Sequence, residues 1–310
     1  MRRLMLAVAV VTALLATVAT PAGAAYAGGD GRLAFVRAKQ IYTVTPAGGA
    51  VKQLTYAGRN VRPKWSPNGK RIAYLHRTPG GAHDVWVMSA NGANKTRVTH
   101  LGNVTAAATW SPDGRTLAFA AGDNPEFGQL TTIKSTAPFG APKAIKGYLR
   151  DCTDCDPEGT DLAPIYVDRF VAWSPDSSTI AVFNHDDGQF DDVIYKYDVA
   201  TRESHEYAAT GADCCGYVDL SDLTWGPHGD FGYGAAATGE LDGADPFVKL
   251  VYPGFVSVEG DRSPAPSPHG TRMAFVNSSA GGPKIYVASA AGGHRHIVTK
   301  GHQPDWQPLR

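Results

Sequence analysis

Apolar and polar positions alternate in short runs along this chain, and the runs are broken by Gly, Pro and Asn. Arg71-Ile72-Ala73-Tyr74-Leu75, Thr116-Leu117-Ala118-Phe119-Ala120 and Thr179-Ile180-Ala181-Val182-Phe183 are three such runs, and Thr271-Arg272-Met273-Ala274-Phe275 is a fourth. β-Branched and aromatic residues in runs this short, bounded by turn residues, predict strands. Each run follows a recurrent turn. Trp110-Ser111-Pro112-Asp113-Gly114 is the clearest, and Trp65-Ser66-Pro67-Asn68-Gly69 and Trp173-Ser174-Pro175-Asp176-Ser177 are close copies. Trp225-Gly226-Pro227-His228-Gly229 is weaker, Pro266-Ser267-Pro268-His269-Gly270 lacks the Trp, and Trp306-Gln307-Pro308 is a fragment. Pro presets φ for the first corner of a tight turn, Asp or Asn bonds to nearby backbone, and Gly accepts positive φ. The Trp ahead of the turn is an apolar anchor for packing between sheets.

Between motifs there is room for four strands. After Trp65 come Arg71–His76, then Asp84–Ser89, then the turn Asn91-Gly92 and Lys95–Thr99. A four-stranded meander repeated every 40 to 63 residues predicts an all-β fold, a β-propeller of four-stranded antiparallel blades. Gly31–Val36, Gln40–Thr45 and Val51–Thr55 read as second, third and fourth strands without a first. The segment around Trp306 reads as a first strand without the rest. Together they complete one blade, so six blades are expected, with the first closed by Asp305-Trp306. Closure hides sheet edges that an open array would expose.

These motifs resemble the TolB-type propellers, a WD-like repeat family. The resemblance rests on Trp-Ser-Pro-Asp-Gly followed by Ile-Ala-Phe-like, Ile-Tyr-Val-like and Arg-Val-Thr-like strands, clearest at residues 31–55, 65–99 and 266–299. It spans about residues 30 to 308 and implies the fold. It does not carry over the Tol–Pal role, because the separate N-terminal α/β domain of TolB has no counterpart in the sequence. Prolyl-oligopeptidase relatives join such a propeller to an α/β-hydrolase domain, and neither room for one nor a Gly-x-Ser-x-Gly elbow is found.

The chain has 310 residues, and Arg2 and Arg3 precede an apolar run from Leu4 to Val18, followed by Ala22-Gly23-Ala24 and Ala25-Tyr26-Ala27. That pattern predicts a secretory signal over residues 1–27, cut after Ala24 or Ala27, leaving residues 28–310 as one propeller domain. The run is short for a membrane span and carries no lipoprotein Cys, so an exported monomer without stable membrane insertion is expected. The formal net charge is +0, which argues against nucleic acid as a partner.

Four Cys in an exported chain favour disulfides. Cys152 and Cys155 fall in one long insertion, Lys146–Phe170, and Cys214 and Cys215 in another, Ala208–Leu223. Both insertions are expected to join the outer strand of one blade to the inner strand of the next, on the face opposite the Ser-Pro-Asp-Gly turns. Two cross-loop disulfides are therefore expected, with the pairing open between alternatives.

Carboxylates crowd the same predicted face, from Asp123, Asp151, Asp154, Asp156, Asp161 and Asp168 to Asp213, Asp219, Asp222, Asp242 and Asp245. Arg37, Lys39, Arg59, Arg62, Lys64 and Lys300 fall at its other side, giving a dipolar face able to steer a charged partner. Solvated loops explain the acids, and binding of a cationic or mixed-charge partner and of calcium are the functional alternatives. Asp186, Asp187, Asp191 and Asp192 are the calcium candidates, although their spacing is not that of an EF-hand. His294 and His296 alternate as on a strand, without an evident third zinc ligand. The reading is an exported, non-enzymatic binding module whose long-loop acidic face meets a protein or glycan of the envelope or medium. The rival is a metal-dependent hydrolase or lyase acting at the central channel.

Overall fold

The computed structural model describes residues 28–124, 127–149, 162–186, 191–210, 216–239, 248–278 and 281–310. Every regular element among them is a strand. Six sheets surround a central channel. Their inner strands, Arg59–Trp65, Val104–Trp110, Val171–Trp173, Gly216–Trp225, Asp261–Pro266 and His302–Leu309, touch one another in chain order, and the last returns to the first. The first blade closes as expected. His302–Leu309 runs antiparallel to Gly29–Arg37, with Leu33 opposite Trp306 and Ala34 opposite Asp305. Gln40–Val44 and Lys52–Gln53 complete it.

The apolar side chains sort into six clusters, each shared by two neighbouring blades. Ala34, Ile41 and Leu54 of blade one meet Trp65, Ile72 and Met88 of blade two. Leu75, Val85 and Val98 of blade two meet Trp110, Leu117 and Phe119 of blade three. Period-two alternation thus serves both faces of a sheet, since each blade is covered on both sides by its neighbours.

The recurrent turn has a defined chemistry. Ser66, Ser111 and Ser174 each accept a backbone N–H five residues on, from Arg71, Thr116 and Thr179, at 2.9 Å. Each hydroxyl also donates to the Asn68, Asp113 or Asp176 side chain, at 2.6 to 2.8 Å. The fifth residue has positive φ: 65° at Gly69, 69° at Gly114 and 69° at Ser177. The Trp is a peg between blades, and in three of the five its indole N–H reaches the preceding inner strand, while those of Trp65 and Trp173 are buried without a partner. Trp110 donates to Lys64 O at 2.9 Å, Trp225 to Ala172 O at 3.1 Å and Trp306 to Ala265 O at 2.7 Å.

Two blades depart from the simple meander. The Lys146–Phe170 insertion does not join blade three to blade four as expected. It interrupts the outer strand of blade three, whose halves Lys143–Ala144 and Tyr166–Val167 both pair with Gly128–Lys134. Leu130 holds the two ends together, accepting from Ile145 N and donating to Ile165 O, each at 2.8 Å. The excursion then lies along blade four, where Lys146–Leu149 pairs in parallel with Glu203–Thr210. A sequence shows the length of such an insertion but not which side of a strand it leaves from. In blade five, three strands are paired among the described residues. The outer edge of Val248–Val251 is met instead by Ser257 Oγ on Leu250 N, at 2.9 Å, and by Gly260 N on Val248 O, at 2.8 Å.

Candidate functional site

The inner strands stack the channel wall in layers, set by distance from the motif. The residue three before the anchor is a β-bulge in four blades. Arg62, Asp222, Ser263 and Gln303 all have left-handed φ, 53°, 55°, 54° and 54°. The pairing register breaks there, between Val61 and Lys64, Ser221 and Thr224, and Arg262 and Ala265. Left-handed backbone costs a non-glycine residue about 1 kcal/mol or more. A bulge repays this by re-aiming the side chain, and these four line the channel.

They are cross-linked between blades. Arg62 N donates to Gln303 Oε1 at 2.9 Å, and Arg62 Nη1 to Arg169 O at 2.5 Å. The Arg62 guanidinium sits 4.6 Å from the Phe170 ring centroid. Burial lowers the Arg62 pKa, with Asp222 opposing the shift. Ser263 Oγ donates to Asp222 Oδ2 at 2.7 Å. The next layer is an apolar collar that includes Pro63, Ala108, Val171, Leu223, Pro264 and Pro304, around a cavity of about 60 Å³. Beyond it, towards the motif turns, Lys64 and Asp305 form an ion pair at 3.1 Å. Trp65 N donates to the other oxygen of Asp305 at 2.7 Å. Burial pushes the Asp305 carboxyl above the usual range, against the pull of Lys64. Asp305→Ala strands both donors and is expected to cost about 2 kcal/mol, whereas Asp305→Asn, which keeps an acceptor, costs less. Urea denaturation of the two variants measures the difference.

At the opposite mouth, the strand ends of blade two and the start of His302–Leu309 carry basic residues. Arg59, Arg77, His83 and His302 line a cavity of about 220 Å³. Of the basic residues expected on this face, Arg59 and Arg62 reach the channel. Lys64 lies deeper, towards the turns, and Arg37 is engaged by Lys300 O at 3.0 Å.

Of the calcium candidates, Asp186, Asp191 and Asp192 lie at the facing ends of two paired strands, where the register sets Asp186 opposite Asp191 and His185 opposite Asp192. Asp187 and the side chains of Asp186 and Asp191 lie outside the described residues. Asp192 turns into the protein. It is 3% exposed, accepts from Leu220 N at 2.7 Å, and lies 3.7 Å from Arg169 Nη2. Its carboxylate therefore ties blade four to blade five. Among the described residues no three or more His, Cys, Asp or Glu are placed to hold a metal. Cys152, Cys155, Cys214 and Cys215 lie outside the described residues. His294 and His296 do not share a strand side as expected: His294 occupies the turn, with φ 53°, and only His296 enters the strand, His296–Lys300. The channel layers themselves were missed in the sequence. Their only signal was a polar residue three before the motif anchor in four of the six repeats.

Six blades, pegged Trp residues and first-blade closure by His302–Leu309 make this a six-bladed β-propeller. TolB from Acinetobacter baumannii superposes with a TM-score of 0.66 at 17% identity, over 90% of this chain and 68% of that one. That likeness is one of fold. In sequence, the chain is 34% identical over 74 residues to the Tol-Pal system protein TolB 1 of Novosphingobium aromaticivorans. It is 30% identical over 73 residues to the uncharacterized peptidase YuxL of Bacillus subtilis. Each match covers 24% of this chain, and they cover only 16% and 11% of those proteins. No family model matches the chain. No helix among the described residues is long and apolar enough to cross a membrane.

Proposed function

We propose that this protein is an exported binding module that meets a protein or glycan partner with the face opposite its motif turns, around the channel mouth. The observation that carries this reading is the channel wall. Its charged groups are spent on one another and on backbone, Arg62 on Arg169 O and Phe170, Lys64 on Asp305, and Asp222 on Ser263. Such a wall is a preorganised surface, suited to recognition because little side-chain freedom remains to be lost on binding. Residues 1–27 are the export signal of this reading. In this reading the acids of stretches 151–161 and 213–219 would supply the second half of a dipolar face, so the partner carries mixed or positive charge. Disulfides from Cys152 and Cys155 to Cys214 and Cys215 would hold both stretches in place.

The test is capture from an envelope fraction on immobilised protein. A partner retained at low salt and released by lysine substitution of Asp213 and Asp219 supports the reading. Turnover of a substrate that depends on added metal favours the channel hydrolase or lyase instead, and a calcium-induced rise in melting temperature reversed by chelator would mark calcium binding by the acidic loops. Peptide mapping without reduction checks the bridges. Free thiols, or only Cys152–Cys155 and Cys214–Cys215 links, would remove them.

A further inference from the structure

The basic mouth of the channel is built from a row of like charges. Arg59, Arg77 and His83 stand directly opposite one another on three adjacent strands of blade two. Residues paired in this way project from the same side of the sheet, and like charges so placed repel. The next row behaves differently. Asn60, His76 and Asp84 are also in register, and each is partnered. His76 Nδ1 meets Asn60 Oδ1 at 2.8 Å, and Asp84 accepts from Arg97 at 2.6 Å and Thr99 at 2.7 Å. The sheet therefore balances charge in one row and leaves it unbalanced in the neighbouring one.

The unbalanced row borders the cavity of about 220 Å³. Arg62 and His302 add to its basic wall, Val61 and Leu75 supply apolar surface, and no carboxylate lines it among the described residues. His83 Nδ1 lies 3.3 Å from Val104 O, so its proton sits there. Its Nε2 is buried without a partner. A buried polar atom without a partner is costly, and protonation of this ring beside a bound anion would offset that cost.

We propose that this cavity is a binding site for the oxyanion group of a small molecule, a phosphate or a carboxylate, gripped by Arg59 and Arg77 with His83 and His302 beside them. Guanidinium forks match both anions with paired hydrogen bonds, and the apolar wall strengthens the attraction by lowering the local dielectric. This goes beyond recognition of a macromolecular partner and stands on blade two and its neighbours alone.

Proton uptake accompanies binding. The His83 pKa is lowered by burial and by Arg77 and Arg59, with Asp84 and the Val104 carbonyl opposing. That of His302 is lowered by burial and by Arg262 and Arg59, with Asp222 opposing. Both rings are thus neutral at pH 7, and a bound anion favours their charged forms, so affinity rises as pH falls.

Calorimetric titration with inorganic phosphate, glucose 6-phosphate and glucuronate, with glucose as the uncharged control, tests the site. At least one anion is expected to bind wild type, and glucose is not; glucuronate, whose charge is constant over this range, reads the histidines alone and should bind several-fold more tightly at pH 6 than at pH 8. The two sugar acids separate phosphate from carboxylate as the preferred group. R59A/R77A should weaken binding tenfold or more, while K134A, which removes an exposed charge from blade three, leaves it unchanged. Without anion, R59A/R77A should melt no lower than wild type, because repulsion is relieved. Absence of binding by all three anions at millimolar concentration would overturn the proposal. So would equal binding by R59A/R77A, or its equal loss in K134A. Partner capture that survives in R59A/R77A keeps this outcome separate from that of the envelope experiment.

Discussion

Deleting residues 302–310 is expected to abolish cooperative unfolding altogether. The deletion removes the inner strand of blade one, with Trp306, which is 4% exposed and donates to Ala265 O. It bares one edge of Gly29–Arg37, whose Leu33, Phe35 and Val36 are fully buried in the intact protein. It also leaves Asp261–Pro266 without its neighbour around the ring. A domain holds about 5–15 kcal/mol in total, and losing a central strand, an inter-blade cluster and ring closure together exceeds that reserve. The circular dichroism melt should lose its sigmoidal transition, and the truncated chain should aggregate. A permutant carrying 302–310 directly ahead of residue 28 provides the control. Gly29 is already opposite Leu309, so a short hairpin joins them and the fold should be kept. A truncated chain with an unchanged melting temperature would show that closure contributes nothing.

Trp110→Ala carries the second large effect, a loss of about 4 kcal/mol. Trp110 is fully buried between blades two and three. Its indole N–H reaches Lys64 O at 2.9 Å, and the Arg71 guanidinium lies 4.6 Å from its ring centroid. Truncation thus leaves a cavity, an unpaired carbonyl and an arginine without its aromatic face. Trp225→Ala should cost about half as much, because that side chain is only partly buried and relaxes more readily. Urea denaturation of both variants measures the difference. Equal losses would mean that the five Trp residues are interchangeable surface anchors, not pegs graded by burial.

Most of the fold was legible because its determinants are local. A turn of Ser, Pro, Asp and Gly needs only a hydroxyl, a fixed φ, a short acceptor and a tolerant corner within five residues. Its hydrogen bonds at Ser111, Asp113 and Thr116 stay within that span. Copies at intervals of one blade then set the blade count, and the incomplete blade at residues 29–53 together with the fragment at Trp306 set the closure. The binding surface was less legible. His294 looked like half of a strand pair, yet its own turn places it outside the strand. The Lys146–Phe170 insertion looked like a connection between blades. Leu130 instead bonds to both its ends, a contact across 35 residues that no local pattern announces.

The sequence by itself determined the blade count, the turn chemistry and the closure by the segment around Trp306, because a repeated local motif counts the blades and shows which one is split between the two ends of the chain. Only the tertiary structure decided what lines the channel. Arg62, Asp222, Ser263 and Gln303 belong to four different repeats, and they meet because four bulges turn them towards one axis. Arg59, Arg77 and His83 likewise form a basic row through the register of three strands, 18 and 6 residues apart along the chain. Charge placed by register and by ring closure is a property of pairing geometry, so it becomes visible once the strands are laid side by side.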